Sequence, residues 1–257
     1  MKIATWNVNS LRVRLPQVLD WLKSERPDVL CIQETKLQDE DFPLIEIEAV
    51  DYRAAFSGQK TYNGVAVFSR SPIEDVEREL PGLDDPERRV LSAAIGGIRV
   101  VDLYVPNGQE VGSQKYQYKL NWLEHLLRYA KALRSNHKHV LICGDFNIAP
   151  EDRDVYDPDA WRGRVLCSEP ERKAFRALTA AGYRDAFRKF EQPENSYSWW
   201  DYRAAAFRRN RGLRIDHILC SDSLYEHVKS CTIDAAPRKL ERPSDHAPVV
   251  VEISGLS

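Results

Sequence analysis

The sequence predicts an α/β fold in which two β-sheets pack face to face and helices cover the outside. Three observations lead there: short β-branched runs recur along the whole chain, only three segments carry helical signals, and most neighbouring strands have no helix between them. An alternating βαβα chain would need a helix after nearly every strand. The chain has 257 residues, 43% hydrophobic and 30% charged, with a formal net charge of −2. These values lie near globular averages and exclude a disordered, collagen-like or coiled-coil chain. The length supports one large core, and without a Pro/Gly/Ser linker, low-complexity tract or repeat, residues 1–257 read as a single domain.

The strand runs are KIATWNV (2–8), DVLCIQE (28–34), GVAVFS (64–69), VLSAAIGGIRVVDLYV (90–105), HVLICGDF (139–146), RIDHILC (214–220) and APVVVEI (247–253), most bounded by turn formers. Leu15, Val18, Leu19 and Leu22 repeat with helical spacing before Pro27, and Leu120, Leu123, Leu127, Ala130 and Leu133 do so over a longer segment. A third helix is announced by Ser168 as N-cap, Glu171 three residues on, Pro170 in the first turn and Gly182 as the stop, with Ala174, Leu178 and Ala181 as its apolar positions. No apolar run approaches the roughly 20 residues that cross a bilayer. Asn7, Asn9 and Arg12 break the opening stretch, so the N-terminus reads as that of a mature protein without a signal peptide. Five cysteines (Cys31, Cys143, Cys167, Cys220, Cys231), an odd number with no CxxC pair, predict buried thiols and a reducing, cytoplasmic compartment.

Several strands end in polar residues that their apolar pattern does not explain. Asn7 and Asn9 follow IATW, Glu34 follows VLCIQ, Tyr104 and Asn107 flank Pro106, and Asp145 and Asn147 sit in LICGDFN. Asp216 and His217 interrupt RIDHIL, and Asp245 and His246 open DHAPVVVEI. Each alone is an ordinary turn former or cap, but strands of one sheet system can deliver all of them to a common rim. There Glu34, Asp145, Asp216 and Asp245 would repel one another unless a cation or protons compensate. Carboxylate and amide oxygens suit Mg²⁺ or Mn²⁺, and no Cys/His spacing supports structural zinc. Of the six histidines, His125, His137, His139 and His227 read as surface residues, His217 reads at least as well as a satisfied core residue, and His246 stands apart beside Asp245.

Residues 203–214 hold Arg203, Arg208, Arg209, Arg211 and Arg214 with no acid, directly after Tyr197, Trp199, Trp200 and Tyr202. Such a run is either a solvated loop or a surface that stacks bases and holds phosphates. Hard-cation ligands, an Asp–His pair and flanking arginines together match metal-assisted phosphodiester hydrolysis.

The segments TWNVNSLR, QETK, LYVPNG, GDFN, SWWDYR, LRIDHIL and PSDHAPV, in this order, resemble the exonuclease III family of DNA-repair enzymes over essentially the whole chain. The resemblance implies a four-layer α/β sandwich, two packed mixed β-sheets flanked by helices. It also implies Mg²⁺-dependent cleavage of duplex DNA 5′ to abasic sites, with Mn²⁺ as a substitute, and 3′→5′ exonuclease and 3′-phosphatase or phosphodiesterase activities in varying proportion. The implied partner is double-stranded DNA with abasic sites or blocked 3′ ends, met by a monomer with no obligatory protein partner. Glu34 would be the principal metal ligand with Asn7 beside it, in a metal-side set completed by Asp145, Asn147, Asp245 and His246. Asp145 would deprotonate the attacking water or assist the leaving group, with Asn147 placing water and phosphate. His246 would touch the scissile phosphate while Asp216 holds its other nitrogen, and Tyr104 and Asn107 would contact phosphate oxygens. Trp199 would line the pocket for the base-less sugar with Leu213 as the neighbouring wall, where some relatives carry tryptophan. Arg203, Arg208, Arg209 and Arg211 would grip the DNA backbone. Three rival readings are a 3′-end processor without abasic incision, a superfamily phosphoesterase acting on RNA or a small phosphodiester, and a catalytically silent DNA-binding protein.

Overall fold

The computed structural model describes residues 1–256. Its strands are β1 (Lys2–Asn7), β2 (Val29–Gln33), β3 (Arg53–Ser57), β4 (Val65–Ser69), β5 (Glu74–Glu77), β6 (Val90–Ile95), β7 (Ile98–Tyr104), β8 (Val140–Asp145), β9 (Tyr183–Asp185), β10 (Asp216–Ser221), β11 (Val228–Ile233) and β12 (Val249–Ile253). The helices are α1 (Leu11–Glu25), α2 (Leu44–Glu48), α3 (Gln114–Asn136), α4 (Pro158–Trp161), α5 (Glu169–Ala180) and α6 (Asp222–Tyr225).

The strands form two six-stranded sheets, ordered β11-β12-β1-β2-β4-β3 and β5-β6-β7-β8-β10-β9. Each sheet is mixed in the same way. Its one parallel pair, β1/β2 or β7/β8, lies at the centre, and every other pairing is antiparallel. A parallel pair needs a long crossover, and α1 and α3 supply it in the two sheets. Ile3, Val29, Cys31, Val100, Cys143, Ile218 and Val251 pack between the sheets. On the outside, Trp21 and Leu22 of α1 pack with Trp6 and Phe68 of the first sheet, and Leu126 and Leu178 of α3 and α5 pack with Val101 and Ile142 of the second. These are the four layers expected.

All seven predicted runs are strands, with one change: 90–105 is a hairpin, turned at Gly96–Gly97, whose φ values of +56° and +80° suit a tight two-residue connection. Four strands carried no readable apolar run: β3, β5, β9 and β11. They are the four sheet edges. The capping box of Ser168 and Glu171 is present as predicted. The buried stripe of α3 runs instead through Tyr116, Lys119, Trp122, Leu123, Leu126, Tyr129, Ala130 and Leu133, with Leu120 and Leu127 flanking it. All five cysteines are buried free thiols, and no helix among the described residues is long and apolar enough to cross a membrane.

Candidate active site

Strand register gathers the polar strand ends. In the second sheet Tyr104 pairs with Asp145, and Asp145 with Asp216, so three neighbouring strands present these side chains side by side. In the first sheet Asn7 pairs with Gln33, which puts Glu34 just past the same edge. The segment before β12 is pinned to β1: Ser244 Oγ donates to the Asn7 carbonyl (2.7 Å) and Trp6 Nε1 to the His246 carbonyl (3.2 Å). Gly144 is required beside Asp145, because its φ is +139° and a Cβ there would lie 1.9 Å from the Leu103 carbonyl oxygen. A cleft of about 180 Å³ results, lined by Glu34, Tyr104, Asn107, Asp145, Asn147, Leu166, Trp199, Ile215, Asp245 and His246. Tyr104 and Asn107 also border an adjoining groove of about 570 Å³ that holds Gln59, Tyr62, Arg89 and Lys115.

Asn7 ties the two sheets together at the cleft floor, its Nδ2 donating to Glu34 Oε1 (3.0 Å) and Asp145 Oδ2 (2.9 Å). Asp145 also accepts from the Asn147 backbone N–H (2.9 Å). Burial pushes the Asp145 carboxyl up to about 7, against the nearby His246 charge and with Asp216 adding to the rise. His246 Nδ1 faces both Asp216 oxygens at 3.1 and 2.9 Å, and its Nε2 lies 3.7 Å from Asp145. Burial alone would pull His246 down, but Asp216 and then Asp145 push it up to about 10, so the ring is an imidazolium at neutral pH. Ser198 Oγ donates to Asp216 (2.6 Å) and fixes that carboxylate. Burial, then Glu34 and Asp145, hold the Tyr104 phenol well above its usual value, which keeps it a proton donor. The Arg89 guanidinium stands 4.8 Å over the Tyr104 ring.

The predicted metal donors meet at this cleft. Glu34, Asp145 and His246 have ligand-capable atoms within 4.8 Å of one another, and His246 would serve as a ligand only as the neutral imidazole, since an imidazolium has no lone pair to give. Asn7 turns its nitrogen to the carboxylates, since its Oδ1 accepts the Asn9 N–H (2.9 Å). The Asn147 Oδ1 accepts from Asn107 Nδ2 (3.1 Å), and the two Asp245 oxygens accept from Asn9 Nδ2 and Trp199 Nε1, each at 2.9 Å. Glu34 and Asp145, which accept hydrogen bonds as well, are two hard carboxylates held together by one amide and suited to a small divalent cation.

Two further expectations change. Leu213 is beside Trp199 as expected, joined to it by two backbone hydrogen bonds of 2.9 Å, but its side chain is fully buried with Ala149, Val155 and Cys167; Leu166 and Ile215 are the apolar residues that line the cleft with Trp199. Arg203, Arg208, Arg209 and Arg211 are exposed and form no ion pair among the described residues. Arg214 is different: it is buried, paired with Asp154 (2.6 Å) and Asp185 (2.8 Å), and so cannot reach DNA. His217 is a satisfied core histidine between Arg214 and the Ile148 carbonyl, pushed down to about 3 by burial and the arginine. Residue patterning missed Leu166, Ile215 and Lys36, which pairs with Glu34 at 2.9 Å. Lys36 lies in the QETK segment and was readable there; Leu166, with φ +74°, left no signal.

The model of the Endonuclease/Exonuclease/phosphatase family matches residues 4–246. The chain is 36% identical over 265 residues to exodeoxyribonuclease III of Haemophilus influenzae, covering 98% of this chain and 99% of that one. Its fold is similar to the Neisseria 3′ phosphatase NExo bound to a product DNA hairpin (TM-score 0.98, 45% identity, 99% and 100% of the two chains). It is equally similar in kind to an AP endonuclease from Archaeoglobus fulgidus (TM-score 0.95, 41% identity, 99% and 100%). Strand ends that gather two carboxylates and an Asp-held imidazolium, on a chain matched from end to end, place this protein in the Endonuclease/Exonuclease/phosphatase family, as a hydrolytic nuclease of the exodeoxyribonuclease III type.

Proposed function

We propose that this DNA-repair nuclease cleaves duplex DNA 5′ to abasic sites and clears blocked 3′ ends, with Mg²⁺ as its metal, from one catalytic domain. The observation that carries this reading is the small cleft. Its roughly 180 Å³, a recess beside the larger groove that shares Tyr104 and Asn107, suits a sugar-phosphate without its base. Trp199, Leu166 and Ile215 form its apolar wall, and the phosphate-handling groups stand opposite. The exposed arginines at 203, 208, 209 and 211 supply a surface for the phosphate backbone. An enzyme of small phosphodiesters has no use for that surface.

Glu34 and Asp145 would hold the Mg²⁺, which typically takes one or two protein carboxylates. When bound, the ion supplies Lewis-acid stabilisation of a phosphoryl oxygen. The chain's own groups do the rest. Asp145, at the cleft floor beside Asn7 and Asn147, accepts the proton of the attacking water. The His246 cation and the Tyr104 phenol stand where charge develops on the non-bridging oxygens, and Asn107 and Asn147 orient phosphate and water. Water forms the new bond to phosphorus and the bond to the 3′-oxygen breaks; that oxygen takes a proton from solvent and ends as a 3′-hydroxyl, while Asp145 returns to solvent the proton it accepted.

The test uses an end-labelled duplex with a central abasic analogue, an intact duplex and a nicked duplex ending in a 3′-phosphate, each with Mg²⁺ and with EDTA. Mg²⁺-dependent incision at the lesion is the expected result. Removal of the 3′-phosphate without incision would instead identify a 3′-end specialist, the reading favoured by the likeness to the Neisseria 3′ phosphatase.

A further inference from the structure

Lys119 lies on α3, is fully buried and takes no part in the chemistry above. Its Nζ donates to two backbone carbonyls, those of Asn107 (3.1 Å) and Asn147 (2.7 Å), and pairs with Glu171 of α5. Glu171 is also fully buried. The same Oε1 accepts the Leu166 N–H (3.0 Å), and Oε2 accepts the Ser168 N–H (3.1 Å). One ion pair therefore clasps three separate loops, and each contributes a residue to the cleft: Asn107, Asn147 and Leu166.

These loops need an outside restraint. Leu166 has φ +74°, a region that a bulky apolar residue holds only when its surroundings fix it, and Asn147, of a type that enters that region more readily, has φ +50°. Stability alone gives no reason for a lysine here, because a buried ion pair is often replaceable by apolar side chains at no loss. An apolar side chain, however, donates nothing to two carbonyls on different loops. Lys119 has the reach and the spare hydrogens to do so while Glu171 balances its charge.

We propose that Lys119 is a positioning residue: by holding the carbonyls of Asn107 and Asn147 it sets where their side-chain amides meet the phosphate and the attacking water. Its contribution appears in turnover rather than in DNA affinity. The inference rests on the roles given above to those two asparagines.

The test compares Lys119→Met/Glu171→Gln, which removes both charges together and strands neither, with Glu171→Gln, which is nearly isosteric but leaves the buried Lys119 charge without its partner; the double variant folds should the single one not. Turnover of the 3′-phosphate and abasic substrates is measured with Mg²⁺ alongside thermal melting. A displaced catalytic group typically costs much of the rate, so kcat should fall at least about tenfold in the double variant and at least about threefold in Glu171→Gln, with KM changed less than about threefold. Hydrogen exchange should quicken in peptides covering 105–109 and 146–149. If kcat stays within about twofold of wild type in every variant that folds, whatever the melting temperature does, the pair is only a structural cross-link and the inference is wrong. Asn107→Ala and Asn147→Ala, run in parallel, separate the two ways to fail. If they keep wild-type turnover, the roles of the amides fall and this inference with them. If they lose turnover while the Lys119 variant does not, only this inference falls.

Discussion

Arg208 and Arg209 are exposed and unpaired, whereas Arg214, a few residues on in the same basic run, is buried between Asp154 and Asp185. Opposite outcomes follow from removing them. Each phosphate contact contributes about 0.9 to the slope of log affinity against log salt. Arg208→Ala/Arg209→Ala should therefore flatten that slope by about 1.8, if each arginine meets one phosphate. Over a fourfold salt range, from about 50 to about 200 mM, the affinity deficit of this double variant against wild type should shrink about twelvefold. Its melting temperature should not move. Arg214→Met leaves Asp154 with Arg188 alone and the Asp185 carboxylate with no cation, a change that costs about 3–5 kcal/mol. For a domain of this size that corresponds to roughly 6–20 °C in melting temperature, with the salt slope unchanged. The assay is duplex binding in EDTA over a salt series, with thermal melting of the same samples. A wild-type slope for the double variant, or a flattened slope with unaltered melting for Arg214→Met, would refute the division of the run into two kinds of arginine.

Three other predictions concern the cleft and the layer beneath it. His246→Asn and Asp145→Asn should each lower kcat by about 10²–10³, or roughly 3–4 kcal/mol, with unchanged circular dichroism; retention of more than about a tenth of the rate in either would contradict its assigned role. EDTA should abolish turnover and Mg²⁺ restore it while duplex binding persists, and metal-independent cleavage would remove Glu34 and Asp145 from their place as ligands. Burial pushes the Asp102 carboxyl well above its usual value, opposed only in part by the Gln33 amide 2.6 Å away and by backbone N–H groups. The folded state then binds this proton more tightly than the unfolded chain. The stabilisation is complete below the unfolded value of about 3.9 and is lost as pH rises from there toward the folded value. Asp102→Asn lacks that loss, so its melting temperature relative to wild type should climb as pH rises above about 4; parallel curves would show that Asp102 is not buried neutral.

The central strands were legible and the edges were not, for one physical reason. A strand flanked on both sides, with both faces covered, reads as a continuous apolar run, as in VLCIQ and VLICG. An edge strand carries charge and polarity that discourage pairing with another chain, so β5 is EDVE and β11 is VKSCTI, and neither looks like a strand in isolation. The catalytic groups were legible for the complementary reason. Glu34, Tyr104, Asp145 and Asp216 each interrupt or end an apolar run, and such a break has no packing explanation.

Orientation and long-range pairing leave no such trace. Six residues had the chemistry of metal donors, but how each is turned depends on contacts between loops: the Asn7 Oδ1 accepts the Asn9 N–H, and its nitrogen is thereby turned to Glu34 and Asp145. Arg211 and Arg214 are the same residue type three positions apart, and what separates them is Asp154, 60 residues from Arg214 in sequence. Lys119 and Glu171 sit at helical positions where a pattern of apolar spacing treats a charge as an interruption, and their pairing spans 52 residues. A residue that reacts must differ from its neighbours, so it stands out locally. A residue that positions others is defined by what it touches, and in this fold those contacts join loops that the two sheets and their outer helices bring together only once they have packed.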